Sequence, residues 1–440
     1  MTTATRTGDL PITATAPSRL PVLESEDWLA VLVGFLSLLL VLAGVRPALP
    51  EFGWATIGDL SGAVLTSQNL TKALISGAGI GVLAGVGVFF MNGSIPRFVL
   101  GFPIVLGLAW LSQLFAGHAG ISSLGFEYVI FALGLGLLVS NTIGVPAWLK
   151  EAARTEYYIK TGLVILGAGM LFSDLARGGL LGIVQAVLVV VPVWFVCFWL
   201  ARRLQVDDEL ATMLATAVSI CGVSAAIAAC GAIQGDRKKL SYVTSLVLLV
   251  AAPMIVAMPQ MVNAFGIPDV VGGAWLGGTL DTSASVVAAG EVISEPARNA
   301  GVVVKLSQNV LIGVAAFILT IWWALRNPSR SKDRLGAGVI WERFPKFVLG
   351  FLVASLVVSF LIDPSLVGET KGVLAGLRTV WFALAFVSIG LETRFADLLA
   401  TGSGRPAAAF LGGQAFNVIW TLILAYLLFG GIFFAAPTFD

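Results

Sequence analysis

The chain is short of the side chains that catalysis and metal binding usually need. Its 440 residues include one His and three Cys. The single His118 lies in a predicted loop, so neither a histidine-based triad nor a multi-histidine metal site fits. The sequence has no H-E-x-x-H zinc pair, no G-x-S-x-G elbow and no G-x-x-x-x-G-K-[ST] phosphate loop. We therefore predict that the protein is no enzyme and no ATP-driven pump, and that it carries no cofactor and no metal.

Charge is equally scarce. Charged residues make up 12% of the chain, against about 25% in ordinary soluble domains. Hydrophobic residues reach 58% and the mean hydropathy is +0.94. The three Cys fall inside apolar runs, which predicts no disulfide. With a net charge of +1, nucleic acid is not an expected partner. The composition predicts an all-α polytopic membrane protein with the lipid bilayer as a partner.

Apolar stretches of about 20 residues mark the candidate membrane-spanning helices. The sequence predicts about thirteen of them. They are residues 28–45, 73–90, 98–115, 124–141, 158–172, 180–200, 209–232, 240–262, 270–291, 301–323, 345–362, 374–391 and 406–431.

The segments between these stretches predict the domain organisation. Residues 1–27 lack a signal peptide and read as a disordered cytosolic tail. Residues 28–323 would form a transmembrane bundle, 324–344 a basic cytosolic linker, and 345–440 the final transmembrane segments. If the N-terminus lies inside, the inner loops carry more Lys and Arg than the outer loops. We therefore predict a multi-pass protein of the inner, plasma membrane with a cytoplasmic N-terminus.

Small polar residues interrupt one apolar run at its centre. Residues 219–225 read S-I-C-G-V-S-A and bring Ser219, Cys221, Gly222 and Ser224 to membrane depth. Irregular backbone at that depth must be buried in protein or line a watery cavity. The run is therefore either a broken helix of the kind that binds transported substrates, or a small-residue packing face between helices.

A second run carries a similar interruption. Residues 279–290 read T-L-D-T-S-A-S-V-V-A-A-G, including Thr282, Ser283 and Ser285. An alignment that pairs Ser285 with Ser224 also pairs Thr282 with Cys221. Paired half-helices facing a common binding site leave such a pattern. We predict two broken helices that meet near the membrane midplane and hold a substrate.

Polar groups at membrane depth are functional candidates by default. Lys305 is followed by Ser307, Gln308 and Asn309, and Asp281 lies in the second interruption. Lys305 either pairs with Asp281 in an empty cavity or extends to the membrane interface. Asn141 is a further candidate for substrate binding or for a helix contact.

A motif that occurs twice in the sequence suggests an internal duplication. The pattern G-x-x-x-x-F-x-D-L occurs at 167–175 and again at 390–398, each time at the end of an apolar run. Seven predicted spans separate the copies, which would invert one relative to the other. Chance and a shared way of ending helices are the alternative. We predict inverted internal repeats.

Several of these segments resemble the YeiH family of proposed bacterial sulfate exporters. The resemblance covers roughly residues 75–430, and S-I-C-G-x-S-A is its most specific part. It implies an inner-membrane carrier of sulfate or a related anion that needs no nucleotide. The matching segments are 162–175, 219–229, 285–290, 304–307 and 387–398.

Two departures from the family weaken the case for sulfate. The family carries a His and an acidic residue before V-A-A-G and often Thr-Arg after K-L, whereas this chain has 281–285 D-T-S-A-S and Ser307-Gln308. Less positive charge favours a monovalent or organic anion.

The predicted function is therefore secondary transport, in the export direction, of sulfate or a related small anion. The candidate substrate-binding residues are the polar residues of the two interruptions, Lys305 and its neighbours, and Asn141. An alternative is a proton- or cation-coupled carrier of another small molecule, with Asp281 as the coupling site. A membrane enzyme or a sensor lacks a supporting motif. We expect a homodimer by analogy with other carriers.

Overall fold

The apolar runs of the sequence fold into helices whose first turns are capped by short polar side chains. Thr66, Asp207 and Asp363 each accept a hydrogen bond from a backbone N–H in the first turn of the helix that follows. A computed structural model describes residues 25–122, 128–326, 341, 344–394 and 404–439. Apart from an isolated single-pair bridge, the regular secondary structure in those ranges is helical. The protein is therefore an all-α polytopic membrane protein.

The described part of the chain contains fifteen helices of ten residues or more. In chain order they are α1 Glu26–Leu42, α2 Ser67–Phe90, α3 Ile95–Ala116, α4 Tyr128–Thr142, α5 Thr155–Gly167, α6 Phe172–Arg203, α7 Asp208–Ser219, α8 Val223–Ala232, α9 Arg237–Ala264, α10 Asp269–Thr279, α11 Ser283–Ile293, α12 Glu295–Arg326, α13 Lys346–Phe360, α14 Pro364–Glu392 and α15 Gly404–Phe429.

Each of the thirteen predicted spans overlaps one of these helices or one pair of half-helices. Within the described ranges, seven helices are long and apolar enough to cross a membrane by themselves, namely α2, α3, α6, α9, α12, α14 and α15. Several others, such as α4 and α13, are apolar but shorter. The figure of thirteen membrane crossings and their inverted repeats stay predictions.

The helices divide into two bundles by their packing. The first bundle contains α1 to α5 with α13 and α14, and the second contains α6 to α12 with α15. Contacts between the bundles are sparse and come chiefly from α11, which touches α4, α5 and α14. Each bundle therefore takes helices from both sides of the predicted 324–344 linker, most of which lies outside the described residues.

Glycines set the tightest helix contacts in both bundles. A Cβ on Gly273 would lie 2.1 Å from the carbonyl oxygen of Ala297, and one on Gly277 would lie 2.5 Å from that of Gly301. These glycines let α10 and α12 touch backbone to backbone, as small residues do in membranes. In the first bundle a Cβ on Gly136 would lie 2.4 Å from the Val387 carbonyl oxygen, which draws α4 against α14.

One predicted boundary differs from the structure, and part of one predicted repeat lies outside the described residues. The predicted tail 1–27 is too long at its end, because α1 already begins at Glu26; residues 1–24 are outside the described ranges. Of the 390–398 copy of the repeated motif, residues 395–398 also lie outside them. The first copy spans the end of α5 and the start of α6.

Candidate functional site

Both interrupted runs are broken helices. The first break, residues 220–222, separates α7 from α8, and the second, residues 280–282, separates α10 from α11. Both breaks are three residues long. Cys221 is therefore equivalent in position to Asp281, and Gly222 to Thr282. The alignment of Thr282 with Cys221 was therefore wrong by one residue. The first run combines both interpretations, because its backbone is discontinuous and Gly222 also permits close packing.

The two breaks touch each other at Gly222 and Asp281. Gly222 has φ 54° and ψ −110°, a backbone conformation that favours glycine. A Cβ at Gly222 would lie 2.6 Å from Val247 Cγ1 and 3.1 Å from both the Cβ and the carbonyl oxygen of Asp281. The crossing thus depends on a residue with no side chain, and the prediction that the broken helices meet is correct for the described structure.

Long polar side chains from neighbouring helices cap the carbonyl ends of α7 and α10. Lys305 Nζ on α12 donates to the Ile220 carbonyl oxygen at 2.7 Å. Gln308 Nε2 donates to the Gly278 oxygen at 3.1 Å, and Gln414 Nε2 on α15 donates to the Thr279 oxygen at 2.9 Å. The C-terminal ends of half-helices carry negative partial charge, so these donors stabilise them away from water.

Asn417 and Gln185 extend this set of donors. Asn417 Nδ2 reaches the carbonyl oxygens of both Val218 and Thr279 at 3.3 Å and so links the two broken helices. Gln185 Nε2 on α6 donates to Ala274 at 2.8 Å. Sequence reasoning missed Gln185, Gln414 and Asn417. The available signal was a carboxamide inside an otherwise apolar run.

The N-terminal ends of α8 and α11 open into a shared cavity of about 710 Å³. Thr282 caps α11: its Oγ1 accepts from Ser285 N at 3.0 Å and lies 2.7 Å from Ser285 Oγ. Asn309 of α12 approaches the same place and donates to Ser283 Oγ at 3.0 Å. The predicted site residues that line this cavity are Cys221, Ser224, Thr282, Ser283 and Asn309.

A charged cluster of the first bundle forms the opposite wall. Lys160 of α5 lies 2.9 Å from carboxylate oxygens of both Glu26 and Asp27, and 3.4 Å from Glu156. All four residues line the cavity, as does Lys346 at the start of α13. The backbone N–H of Lys346 donates to Asp27 at 2.8 Å. The sequence analysis missed this cluster, because its members come from distant parts of the chain.

Lys305 is buried, but its partners differ from those predicted. It lies ten residues into α12 and is 2% exposed, so the expectation that it extends to the interface is wrong. Its ammonium donates to Ile220 and to Gln308 Oε1, both at 2.7 Å. Neither carboxylate oxygen of Asp281 has a hydrogen-bond partner in the described structure, so Lys305 and Asp281 form no direct hydrogen-bonded pair.

Four other predicted site residues point elsewhere. Ser219 and Ser307 donate to carbonyl oxygens of their own helices, at Thr216 and Val303. The Ser285 hydroxyl group is hydrogen-bonded to the hydroxyl group of Thr282. Asn141 lies in the first bundle, where its amide donates to Thr393 at the end of α14. None of these four is among the residues that line the cavity.

Comparison with known proteins places the chain in a family. A family described as "Conserved hypothetical protein 698" matches residues 98–408, which is more than half of the sequence. The chain belongs to this family. Its relatives carry the name UPF0324 membrane protein, and the family includes YeiH, as the sequence resemblance suggested.

Three relatives show the range of similarity. A UPF0324 membrane protein of Nitratidesulfovibrio vulgaris is 39% identical over 367 residues, covering 80% of this chain and 63% of the relative. One from Rhodopirellula baltica is 41% identical over 352 residues, 76% of this chain and 64% of the relative. The UPF0324 inner membrane protein YeiH of Salmonella typhimurium is 25% identical over 320 residues, 69% of this chain and 89% of the relative.

The chain therefore spans less than two thirds of the length of the first two relatives. No solved structure is significantly similar to it. The names of the relatives describe membrane proteins and state no substrate.

Proposed function

We propose that the protein is a secondary transporter of a small anion and not an enzyme. The observation that carries this proposal is the convergence of two half-helix N-termini, α8 and α11, on one cavity. An N-terminus offers unpaired backbone N–H groups and positive partial charge, which together favour anions. Broken helices in membrane carriers present substrate sites in this way.

The side chains at the two N-termini suit an oxyanion. Ser224, Thr282 and Ser283 bring hydroxyl groups to the cavity, and Asn309 brings a carboxamide. Lys305 stands behind the site: it does not line the cavity, and its ammonium caps α7. Its positive charge acts on a bound anion across low-dielectric protein, where Coulomb interactions are stronger than in water.

The charges around the cavity favour a monovalent anion over sulfate. The opposite wall holds three carboxylates, those of Glu26, Asp27 and Glu156, near Lys160 and Lys346. A doubly charged ion would meet more repulsion there than a singly charged one. We propose a small sulfonate or carboxylate as substrate, with sulfate as the weaker candidate. The export direction remains the direction that we propose.

The position of the cavity between the bundles supports alternating access. Its lining comes from α8, α11 and α12 of the second bundle and from α1, α5 and α13 of the first. Movement of one bundle against the other would then expose the half-helix ends to either side of the membrane. We further propose a homodimer in the inner membrane with the N-terminus in the cytoplasm.

Purified protein in liposomes tests this function. Radiolabelled sulfate, sulfite, a small sulfonate and a small carboxylate should be presented under Na⁺, K⁺ and proton gradients. We expect saturable flux of at least one anion, reduced at least tenfold in Thr282→Val and retained in Thr320→Val. Thr320 is a matched control, because it lies on α12 and bonds only to its own helix. Absence of flux for every anion under every gradient would contradict the proposal.

One observation favours the alternative of a coupled carrier. Asp281 is 2% exposed and both of its carboxylate oxygens lack hydrogen-bond partners. A buried ionisable group without a partner inside a membrane protein is a candidate coupling site. In this alternative the carrier moves another small molecule, and Asp281→Asn abolishes the pH or cation dependence of flux while the anion panel stays inactive.

A further inference from the structure

Four buried oxygen atoms at the carbonyl end of α10 have no hydrogen-bond partner. They are both carboxylate oxygens of Asp281, the hydroxyl oxygen of Thr279 and the side-chain oxygen of Gln414. The three residues are 2%, 1% and 3% exposed. Leaving a buried acceptor unpaired destabilises the fold, because the hydrogen bonds lost from water are not replaced. A group of such oxygens in one place therefore indicates a missing electropositive partner.

Contacts place these oxygens in one region of the second bundle. Gln414 is fixed by its Nε2, which donates to the Thr279 carbonyl oxygen and to Met254 Sδ, while its Oε1 has no hydrogen-bond partner. Asp281 follows two residues after Thr279. Asp281 interacts electrostatically with Cys197, and Cys197 packs against Gly413, the neighbour of Gln414.

The donor groups nearby are directed at other acceptors. The Lys305 ammonium donates to Ile220 and Gln308, and the Asn417 amide donates to Val218 and Thr279. In the described structure none of these donors forms a hydrogen bond with the four oxygens. One carboxylate with neutral oxygens matches the ligand preference of hard cations. The described residues contain no group of three or more His, Cys, Asp or Glu side chains that could hold a metal ion, which disfavours a transition metal.

We propose that Asp281, Thr279 and Gln414 bind a sodium ion that is coupled to anion transport. This inference rests on the proposed function and names its coupling ion. The site lies at the carbonyl end of a half-helix, where negative partial charge favours cations. The anion site lies at the N-terminus of α11, so the adjacent break residues Asp281 and Thr282 would serve the two ligands.

The charges of the second bundle explain why the two ions would travel together. Lys305 and Asp281 are near enough to interact electrostatically, and their formal charges cancel when the site is empty. A sodium ion alone leaves one positive charge, and a monovalent anion alone leaves one negative charge. Both together restore neutrality. Because net charge at membrane depth is costly, the neutral empty and fully loaded states cross most easily.

Thermal unfolding of the purified full-length chain tests sodium binding directly. NaCl replaces choline chloride stepwise at constant ionic strength, with KCl as a parallel series. A ligand of the native state raises the apparent melting temperature with concentration. We expect a saturable increase in Na⁺ that K⁺ does not produce, and its loss in Asp281→Asn. Asp269→Asn, a substitution of an exposed residue at the other end of α10, should retain the increase.

A second variant keeps the test decisive if Asp281→Asn fails to fold. Thr279→Val preserves side-chain shape and removes one ligand oxygen, so it should lower the apparent Na⁺ affinity at least tenfold. A wild-type melting temperature that is the same in Na⁺, K⁺ and choline would overturn the site. So would an undiminished Na⁺ response in Thr279→Val.

Flux separates failure of this inference from failure of the proposed function. Anion flux that is equal in Na⁺ and in K⁺ would overturn sodium coupling while leaving the anion carrier intact. If that flux followed a proton gradient and lost its pH dependence in Asp281→Asn, the ligand at this position would be a proton. A Na⁺-dependent melting temperature without any anion flux would retain the cation site and contradict the anion carrier.

Discussion

Lys305 donates a 2.7 Å hydrogen bond to the carbonyl of Ile220, which lies 85 positions earlier and directly follows the first half of a broken helix. This contact gives the buried ammonium group a structural role in addition to its electrostatic one. Lys305 holds the helix end in place and acts on the substrate through its charge, without touching the cavity. Stability and transport should therefore depend on it together.

Lys305→Ala should lower both thermal stability and transport. The substitution leaves the Ile220 carbonyl without its ammonium donor and Gln308 Oε1 without its partner. Each orphaned buried group costs about 1–3 kcal/mol. Thermal unfolding in detergent and flux in liposomes measure the two effects. Lys371→Ala, at an exposed position, should change neither. A stable Lys305→Ala protein without anion binding would restore direct contact between Lys305 and the substrate.

Gly222→Ala should disrupt the crossing of the broken helices. A Cβ there would lie 2.6 Å from Val247 Cγ1, and the φ of 54° is unfavourable for alanine. Strained backbone of this kind costs about 1–3 kcal/mol, and the steric overlap adds to it. Gly266→Ala is the matched control, because it has φ 60° and no neighbouring atom within 4 Å. Equal losses of melting temperature in the two variants would argue against the crowding at the crossing.

Thr282→Val and Thr282→Ser separate the hydroxyl group from the shape of the side chain. The Thr282 hydroxyl accepts from Ser285 N and caps α11. Loss of such a cap typically costs about 0.5–2 kcal/mol. Valine should reduce both stability and anion flux, whereas serine should retain most of each. Flux that survives in the valine variant would remove Thr282 from the substrate site.

Lys160→Met should destabilise the cavity wall of the first bundle. The substitution leaves Glu26, Asp27 and Glu156 without their shared cation. Breaking a fully buried ion pair costs about 3–5 kcal/mol. These carboxylates are 20–37% exposed, so we expect a smaller loss of about 1–3 kcal/mol. Lys72→Met breaks an exposed pair with Glu51 and should have an effect below about 1 kcal/mol.

The breaks could be predicted from sequence, but their exact register could not. Gly222 and its small polar neighbours signal a discontinuity, because such residues are unusual in the centre of an apolar span. The weak similarity of the two segments allowed a one-residue error. The three-residue length of each break is defined by the hydrogen-bonded helix ends and by the contact between Gly222 and Asp281. The sequence alone shows neither.

Burial of Lys305 was also open to prediction, whereas its partners were not. A charged residue among apolar ones suggests a functional position, but the sequence does not show which carbonyl will be its acceptor. Gln414 and Asn417 show the same limit. Their partners at Val218 and Thr279 lie 135 to 199 positions away. Only the packing of α15 against α7 and α10 brings them together.

Protection of a cysteine at the α8 N-terminus tests the central claim most directly. Ser224 lines the cavity, so Ser224→Cys in a chain with Cys197, Cys221 and Cys230 replaced should react with a small methanethiosulfonate. Leu361→Cys is the control, because Leu361 is 76% exposed and does not line the cavity. We predict that a transported anion slows modification of Ser224→Cys with rising concentration and leaves Leu361→Cys unchanged. An unchanged rate at saturating anion would contradict binding at the half-helix ends.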